Sequence, residues 1–113
     1  MTTNMVEATC HCGDVKLTAP APATVFDCTC SICRRYGGRW AYYQRPEVTI
    51  TGATEIYLWN KRWIEFHRCK KCGCLTHWLA SDPKQERMAI NARMMAPDVL
   101  DAAELKVFDG ARS

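Results

Sequence analysis

Apolar and polar residues alternate along most of this chain in runs of four to six, a period-2 pattern that predicts short strands rather than helices. Residues 5–10 and 15–18 read as a hairpin turning at Gly13-Asp14. Residues 19–23, rich in Ala and Pro, read as a loop. Residues 24–27 read as a strand. Residues 31–36 have room for a single helical turn, which Gly37-Gly38 would end. Further strands are expected at 40–44, 48–51, 55–59, 63–68, 75–79 and 87–92, with turns at Asn60-Lys61 and Ser81-Asp82-Pro83-Lys84. One short helix is expected at 97–105, because Pro97 suits a first helical position and Asp98 favours a helix N-terminus. The expectation is a mostly β fold in a single domain spanning residues 1–113.

Composition changes this picture at one point. Hydrophobic residues make up 48% and charged residues 24%, and the net charge is only +3, so bulk charge argues for no particular partner. The eight cysteines, however, fall into three tight clusters: Cys10 and Cys12; Cys28, Cys30 and Cys33; and Cys69, Cys72 and Cys74. Residues 1–8 show no basic stretch followed by an apolar run, so we expect neither a signal peptide nor a transmembrane segment, and a cytoplasmic location. In a reducing compartment, clustered thiols point to metal. The even count alone would also allow a disulfide framework, but the clustering and the absent signal oppose it.

The spacings suggest how the thiols divide. On a strand, residues two apart face the same way, so Cys10 and Cys12 can address one ion. Cys69-x-x-Cys72-Gly73 resembles a zinc knuckle, in which the glycine permits a turn that points backbone N–H groups at a sulfur. Pairing these two clusters gives a tetrahedral four-thiolate site. Cys28, Cys30 and Cys33 would then stand alone, and three protein ligands with an open position are the arrangement of catalytic zinc. Cys74 is left over. It either closes that second site, stays a free thiol, or packs as a small side chain. Two alternatives stay open: Cys28, Cys30 and Cys33 sharing one site with a cysteine of the third cluster, or an iron–sulfur cluster. His11, His67 and His77 alternate with apolar residues and read as surface or core side chains.

The three motifs also resemble, in order and separation, those of the glutathione-dependent formaldehyde-activating enzyme family: Cys10-His-Cys12-Gly-Asp-Val-Lys-Leu17, Cys28-Thr-Cys30-Ser-Ile-Cys33-Arg-Arg35, and Phe66-His-Arg-Cys69-Lys-Lys-Cys72-Gly73. The likeness runs from Cys10 to about Asp98. It implies a β-tent fold of small antiparallel sheets stapled by zinc, shared with centromere protein V-like zinc proteins. It implies two zinc ions per chain, a structural one on Cys10, Cys12, Cys69 and Cys72 and a catalytic one on Cys28, Cys30 and Cys33. It further implies a carbon–sulfur lyase joining glutathione to formaldehyde. Cys74, directly after Cys72-Gly73, is not required by the family pattern.

Glutathione carries two carboxylates, so a basic site is expected. Residues 34–71 hold nine Lys or Arg (34, 35, 39, 45, 61, 62, 68, 70, 71) against Glu47, Glu55 and Glu65. Arg34 and Arg35, directly after the second motif, are the expected carboxylate partners. Trp40, Tyr42 and Tyr43 either line a pocket or pack the core, and Gly37-Gly38 either admits a ligand or forms a plain turn. A different class of function is a zinc-stabilised binding module for a protein or nucleic acid, with arginines and aromatics stacking on single strands. A redox or metal-handling role through Cys74 is a third.

Overall fold

A computed structural model describes residues 4–59 and 61–108. Strands make up 51% of the chain, and the mostly β expectation holds. They form two sheets. The smaller has the order β1-β2-β5, from Met5–Thr9 (β1), Lys16–Pro20 (β2) and Thr49–Thr51 (β5). The larger contains Thr24–Cys28 (β3), Arg39–Gln44 (β4), Thr54–Trp59 (β6), Ile64–Cys69 (β7), Leu75–Ala80 (β8), Arg87–Asn91 (β9) and Glu104–Phe108 (β10). Its order is β10-β3-β4-β9-β8-β7-β6. Helix is confined to α1, Cys33–Tyr36, and α2, Pro97–Ala102, with two single 3-10 turns.

The large sheet is antiparallel except at one end, and its two faces do different work. On its central strands, successive side chains enter different cores. From β9, Met88 and Ile90 pack with Ala8, Val15, Leu17 and Ala19 of the small sheet, while Ala89 packs with Trp40, Phe66 and the second cysteine cluster. From β4, Ala41 and Tyr43 join the first core and Trp40 the second. One face therefore carries the small sheet, and the other carries the three-cysteine group within an aromatic cluster.

The C-terminal segment departs from the sequence expectation. The helix ends at Ala102 rather than at 105, and residues 104–108 form β10, a strand that pairs in parallel with β3 from Glu104↔Thr24 to Phe108↔Cys28. It is an exposed edge strand, with Leu105, Val107 and Phe108 all in contact with solvent. A burial pattern of that kind leaves no alternation to detect. The strand nevertheless holds the second cysteine loop, because the Thr29 N–H donates to the Phe108 carbonyl at 3.0 Å. Of the expected turn at Asn60-Lys61, Asn60 lies outside the described residues; Lys61 and Arg62 take left-handed φ values of 55° and 67°.

Register is also locally broken where it matters. A bulge shifts the β7–β8 pairing between His67 and Arg68, leaving Thr76 as the extra residue. The Thr76 hydroxyl donates to the His67 carbonyl at 3.2 Å, and the His67 and His77 rings stack at 4.4 Å. Burial, and next the neighbouring His67, hold the His77 imidazole neutral, with its pKa lowered to about 3. The two histidines are thus core residues, as expected for this alternating stretch.

Gly52 fixes the contact between the β5–β6 turn and the first cysteine hairpin. Its φ is +105°, a Cβ there would overlap the Asp14 carbonyl oxygen, and Val15 Cα lies 2.8 Å from the same point. Both obstacles are backbone and cannot swing aside. Gly52→Ala is expected to lower stability by about 2 kcal/mol or more in denaturant unfolding of the metal-loaded protein; an unchanged midpoint would show that the hairpin does not require this approach.

Candidate metal centres

Two folded motifs bring the first and third cysteine clusters together. In the β1–β2 hairpin the Gly13 N–H donates to the Cys10 carbonyl at 3.1 Å, and the Val15 N–H points at Cys10 Sγ at 3.3 Å. In the β7–β8 turn the N–H groups of Lys71 and Cys72 both point at Cys69 Sγ, at 3.4 Å. Gly73, at φ +80°, closes that turn with its N–H on the Cys69 carbonyl. The sulfurs of Cys10, Cys12, Cys69 and Cys72 all lie within 4.8 Å of one another, with Cys10–Cys12 and Cys12–Cys69 both at 3.6 Å. Metal–sulfur bonds of about 2.3 Å in a tetrahedron place sulfurs roughly 3.8 Å apart. The donor set and its spacing fit a zinc ion without rearrangement of the chain.

The electrostatics of this group are those of thiols competing to ionise. The Cys74 N–H, then the Cys12 N–H, lower Cys72 to about 5. Cys12 has the Asp14 N–H in its favour, but lost solvation and its three sulfur neighbours push it up to about 12. Four thiolates cannot crowd together without a cation to balance them, which is the electrostatic counterpart of the spacing.

The second group contains three sulfurs only. Cys28 ends β3, Cys30 lies in the loop, and Cys33 begins α1; their sulfurs lie within 4.8 Å of one another and all three are buried. The loop reuses the same local device. Burial opposes ionisation of Cys30, but the N–H groups of Cys33 and Ile32 point at its sulfur and hold it below the ordinary thiol range. Burial, then the thiol hydrogen bond with Cys30 and the charges of Cys28 and Cys30, push Cys33 up. Helix α1 is a single turn, stopped by Gly37 at φ 68° with its N–H on the Cys33 carbonyl. The described residues therefore include two groups that could hold a metal ion, one of four thiols and one of three.

Cys74 joins neither group. The His11 N–H points at its thiol, which lies beside Cys72, and its carbonyl accepts from the Cys69 N–H at 2.8 Å. It braces the four-thiol group and lies away from the three-thiol group, so the fold favours neither a closed second site nor one shared with the third cluster. Among the described residues no histidine, aspartate or glutamate joins either group.

The basic stretch does not converge. Lys71 pairs with Asp14 at 3.5 Å, and the Arg45 Nε–H donates to the Gln85 carbonyl at 2.9 Å. Arg35, together with Ser31, Ile32, Tyr36, Tyr57 and Trp59, lines an open cleft of about 450 Å³ beside the three-thiol loop, whereas Arg34 is exposed elsewhere. Trp40 and Tyr43 are core, and Tyr43 donates its hydroxyl to the Pro20 carbonyl at 2.6 Å. Tyr42 is partly exposed next to the three thiols. Burial and then Cys28 push its phenol up, and its ring packs against Phe26 at 5.2 Å. Gly38 packs against the Trp40 indole, so the glycine pair is a turn. The cleft walls Tyr36, Tyr57 and Trp59 were not singled out from sequence. Nothing but the meeting of α1 with edge strand β6 brings them together.

No helix among the described residues is long and apolar enough to cross a membrane. Residues 5–108 match the model of a family described as glutathione-dependent formaldehyde-activating enzyme. The fold is similar to the crystal structure of a Rhodobacter sphaeroides protein, with a TM-score of 0.71 at 25% identity over 88% of this chain and 99% of that one.

The grouping predicts metal content. Elemental analysis of the purified chain is expected to give two metal ions, falling to one in Cys28→Ser and remaining two in Cys74→Ser. Loss of a metal in Cys74→Ser would contradict the division drawn here.

Proposed function

The chain belongs to the glutathione-dependent formaldehyde-activating enzyme family, and on that premise we propose that it is a zinc-dependent carbon–sulfur lyase joining a small thiol, such as glutathione, to formaldehyde. The observation that carries this reading is the inequality of the two cysteine groups. The group of four has a full tetrahedral set and ties two sheets together, which suits a structural ion. Among the described residues the group of three has no fourth protein ligand, and its loop borders a cleft, which suits a site where a substrate sulfur completes the set.

Cys28, Cys30 and Cys33 would hold the catalytic ion. Zinc bound there lowers the pKa of a bound thiol and so supplies its thiolate near neutral pH. The chain's own residues do the rest. The N–H groups of Ile32 and Cys33 fix the Cys30 sulfur, and the Thr29–Phe108 hydrogen bond fixes the loop. Trp40, Phe66 and Ala89 bury the thiols on the sheet side and keep water from them. Arg35, which lines the cleft, would pair with a substrate carboxylate. In the reaction the thiol sulfur forms a bond to the aldehyde carbon, the carbonyl electron pair moves to oxygen, and that oxygen takes up a proton equivalent to the one the thiol lost. The reverse reaction breaks the same carbon–sulfur bond.

Exchange NMR of formaldehyde with glutathione tests this reading. The zinc-loaded protein is expected to accelerate adduct formation over the spontaneous reaction. Cys30→Ser should lose at least about tenfold of that acceleration while keeping its circular dichroism and one zinc. A zinc-loaded parent no faster than buffer, with glutathione and with other small thiols alike, would overturn it.

A further inference from the structure

The cleft beside the three-thiol loop has a composition of its own. Its walls are Ile32, Tyr36, Tyr57 and Trp59, and Ser31 and Arg35 add a hydroxyl and a guanidinium to the hydroxyls and indole N–H of those rings. Ser31 and Ile32 sit between Cys30 and Cys33, so the cleft starts at the loop that carries two of the three thiols. The walls are braced from behind. The Phe66 ring, itself packed on Trp40 at 5.9 Å, lies 5.6 Å from Tyr36 and 6.4 Å from Trp59 and backs these two walls. Arg35 is held too, because its Nη1 donates to the Ser31 carbonyl at 2.6 Å, which anchors the guanidinium and leaves further N–H donors for a ligand. Tyr36 and Tyr57 are 41% and 49% exposed, which leaves part of each ring open to a ligand.

These features match one ligand chemistry. Preformed aromatic walls favour a flat apolar group stacking at ring-to-ring distance, and a single anchored guanidinium favours one carboxylate. Glutathione is flexible, polar and carries two carboxylates and an ammonium, whereas Arg35 is the one cation among the lining residues, with Arg68 acting on Tyr36 from outside them. On the lyase reading above, the geometry points to a thiol substrate whose tail is an aromatic or similarly flat apolar group bearing one carboxylate. Such a tail would lie between Trp59 and Tyr36, with its carboxylate on Arg35 and its sulfur at the three-thiol group. Glutathione would reach the same sulfur position with its tail poorly held.

The probe is para-(mercaptomethyl)benzoate, compared with glutathione as the thiol added to formaldehyde. The expected kcat/KM is at least about tenfold higher for the aromatic thiol. Trp59→Leu should erase that preference through KM. Arg35→Gln should raise KM for the carboxylated probe but not for benzyl mercaptan, which lacks the carboxylate. A sulfur-free analogue, para-methylbenzoate, separates this assignment from the lyase reading. In NMR titration of the zinc-loaded protein it should shift resonances of Ser31, Arg35, Tyr36, Tyr57 and Trp59. Those shifts without any thiol addition would leave the cleft assignment standing and sink the lyase reading. Glutathione used as well as the aromatic thiol, with no shifts from para-methylbenzoate, would overturn the cleft assignment and leave the lyase reading standing.

Discussion

Cys12 and Cys69 are 57 residues apart in the chain and 3.6 Å apart at their sulfurs, and the rest of the architecture depends on that closure. Cys10 and Cys12 come from the hairpin of the small sheet, and Cys69 and Cys72 from a turn of the large one. Their convergence fixes how the two sheets meet and which face of the large sheet is covered. Four ionised thiols at this distance repel one another strongly, so the closure needs a cation. Structural zinc contributes on the order of 10 kcal/mol in small folds, comparable with the whole stability of a domain this size. The interior between the sheets, Leu17, Ala19, Met88 and Ile90 among it, packs well but is small.

Because one face of the large sheet is taken by the small sheet, the other is left for chemistry. Trp40, Ala89 and Phe66 point there through the strand's alternation and form a floor beneath Cys28, Cys30 and Cys33. The two-residue period that sends Met88 and Ile90 one way sends Ala89, one residue off, the other. The four-thiol and three-thiol groups are thereby kept on separate sides of one sheet. The local geometry is similar on both sides, since Cys30 and Cys69 are each capped by N–H groups two and three residues on. What differs is ligand count and surroundings: a full set of four in one place, and three thiols beside a cleft in the other.

Much of this was legible in the sequence because the relevant signals are local. Strand alternation located nine of the strands, and the Cys-x-x-Cys-Gly turn announced its own hydrogen bonding. The partition of thiols into four and three was the division that spacing suggested, beside two alternatives it left open. What escaped was set by tertiary context. β10 is an edge strand exposed at every position, so residues 104–108 carry no burial alternation; 104 and 105 were absorbed into the preceding helix and 106–108 were assigned to no element. The position of Cys74 could not be read, because whether it faces Cys72 or the second loop depends on the twist of a turn. Arg34 and Arg35 are adjacent in sequence, but only the register of a four-residue helix decides that Arg35 lines the cleft. The cleft itself is a meeting of α1 with β6, and nothing in either segment alone implies it.

The division between a closed ion and an accessible one is most directly tested by cobalt substitution. The d–d spectrum of the protein loaded with two Co(II) ions should be titrated with a small thiol such as mercaptoethanol. The account predicts that one ion changes its ligand field as the thiol binds, that Cys28→Ser abolishes the change, and that the other ion stays tetrahedral and unaltered. Two ions that both ignore the thiol, or that both respond to it, would contradict the separation of structural and reactive thiols on which the account rests.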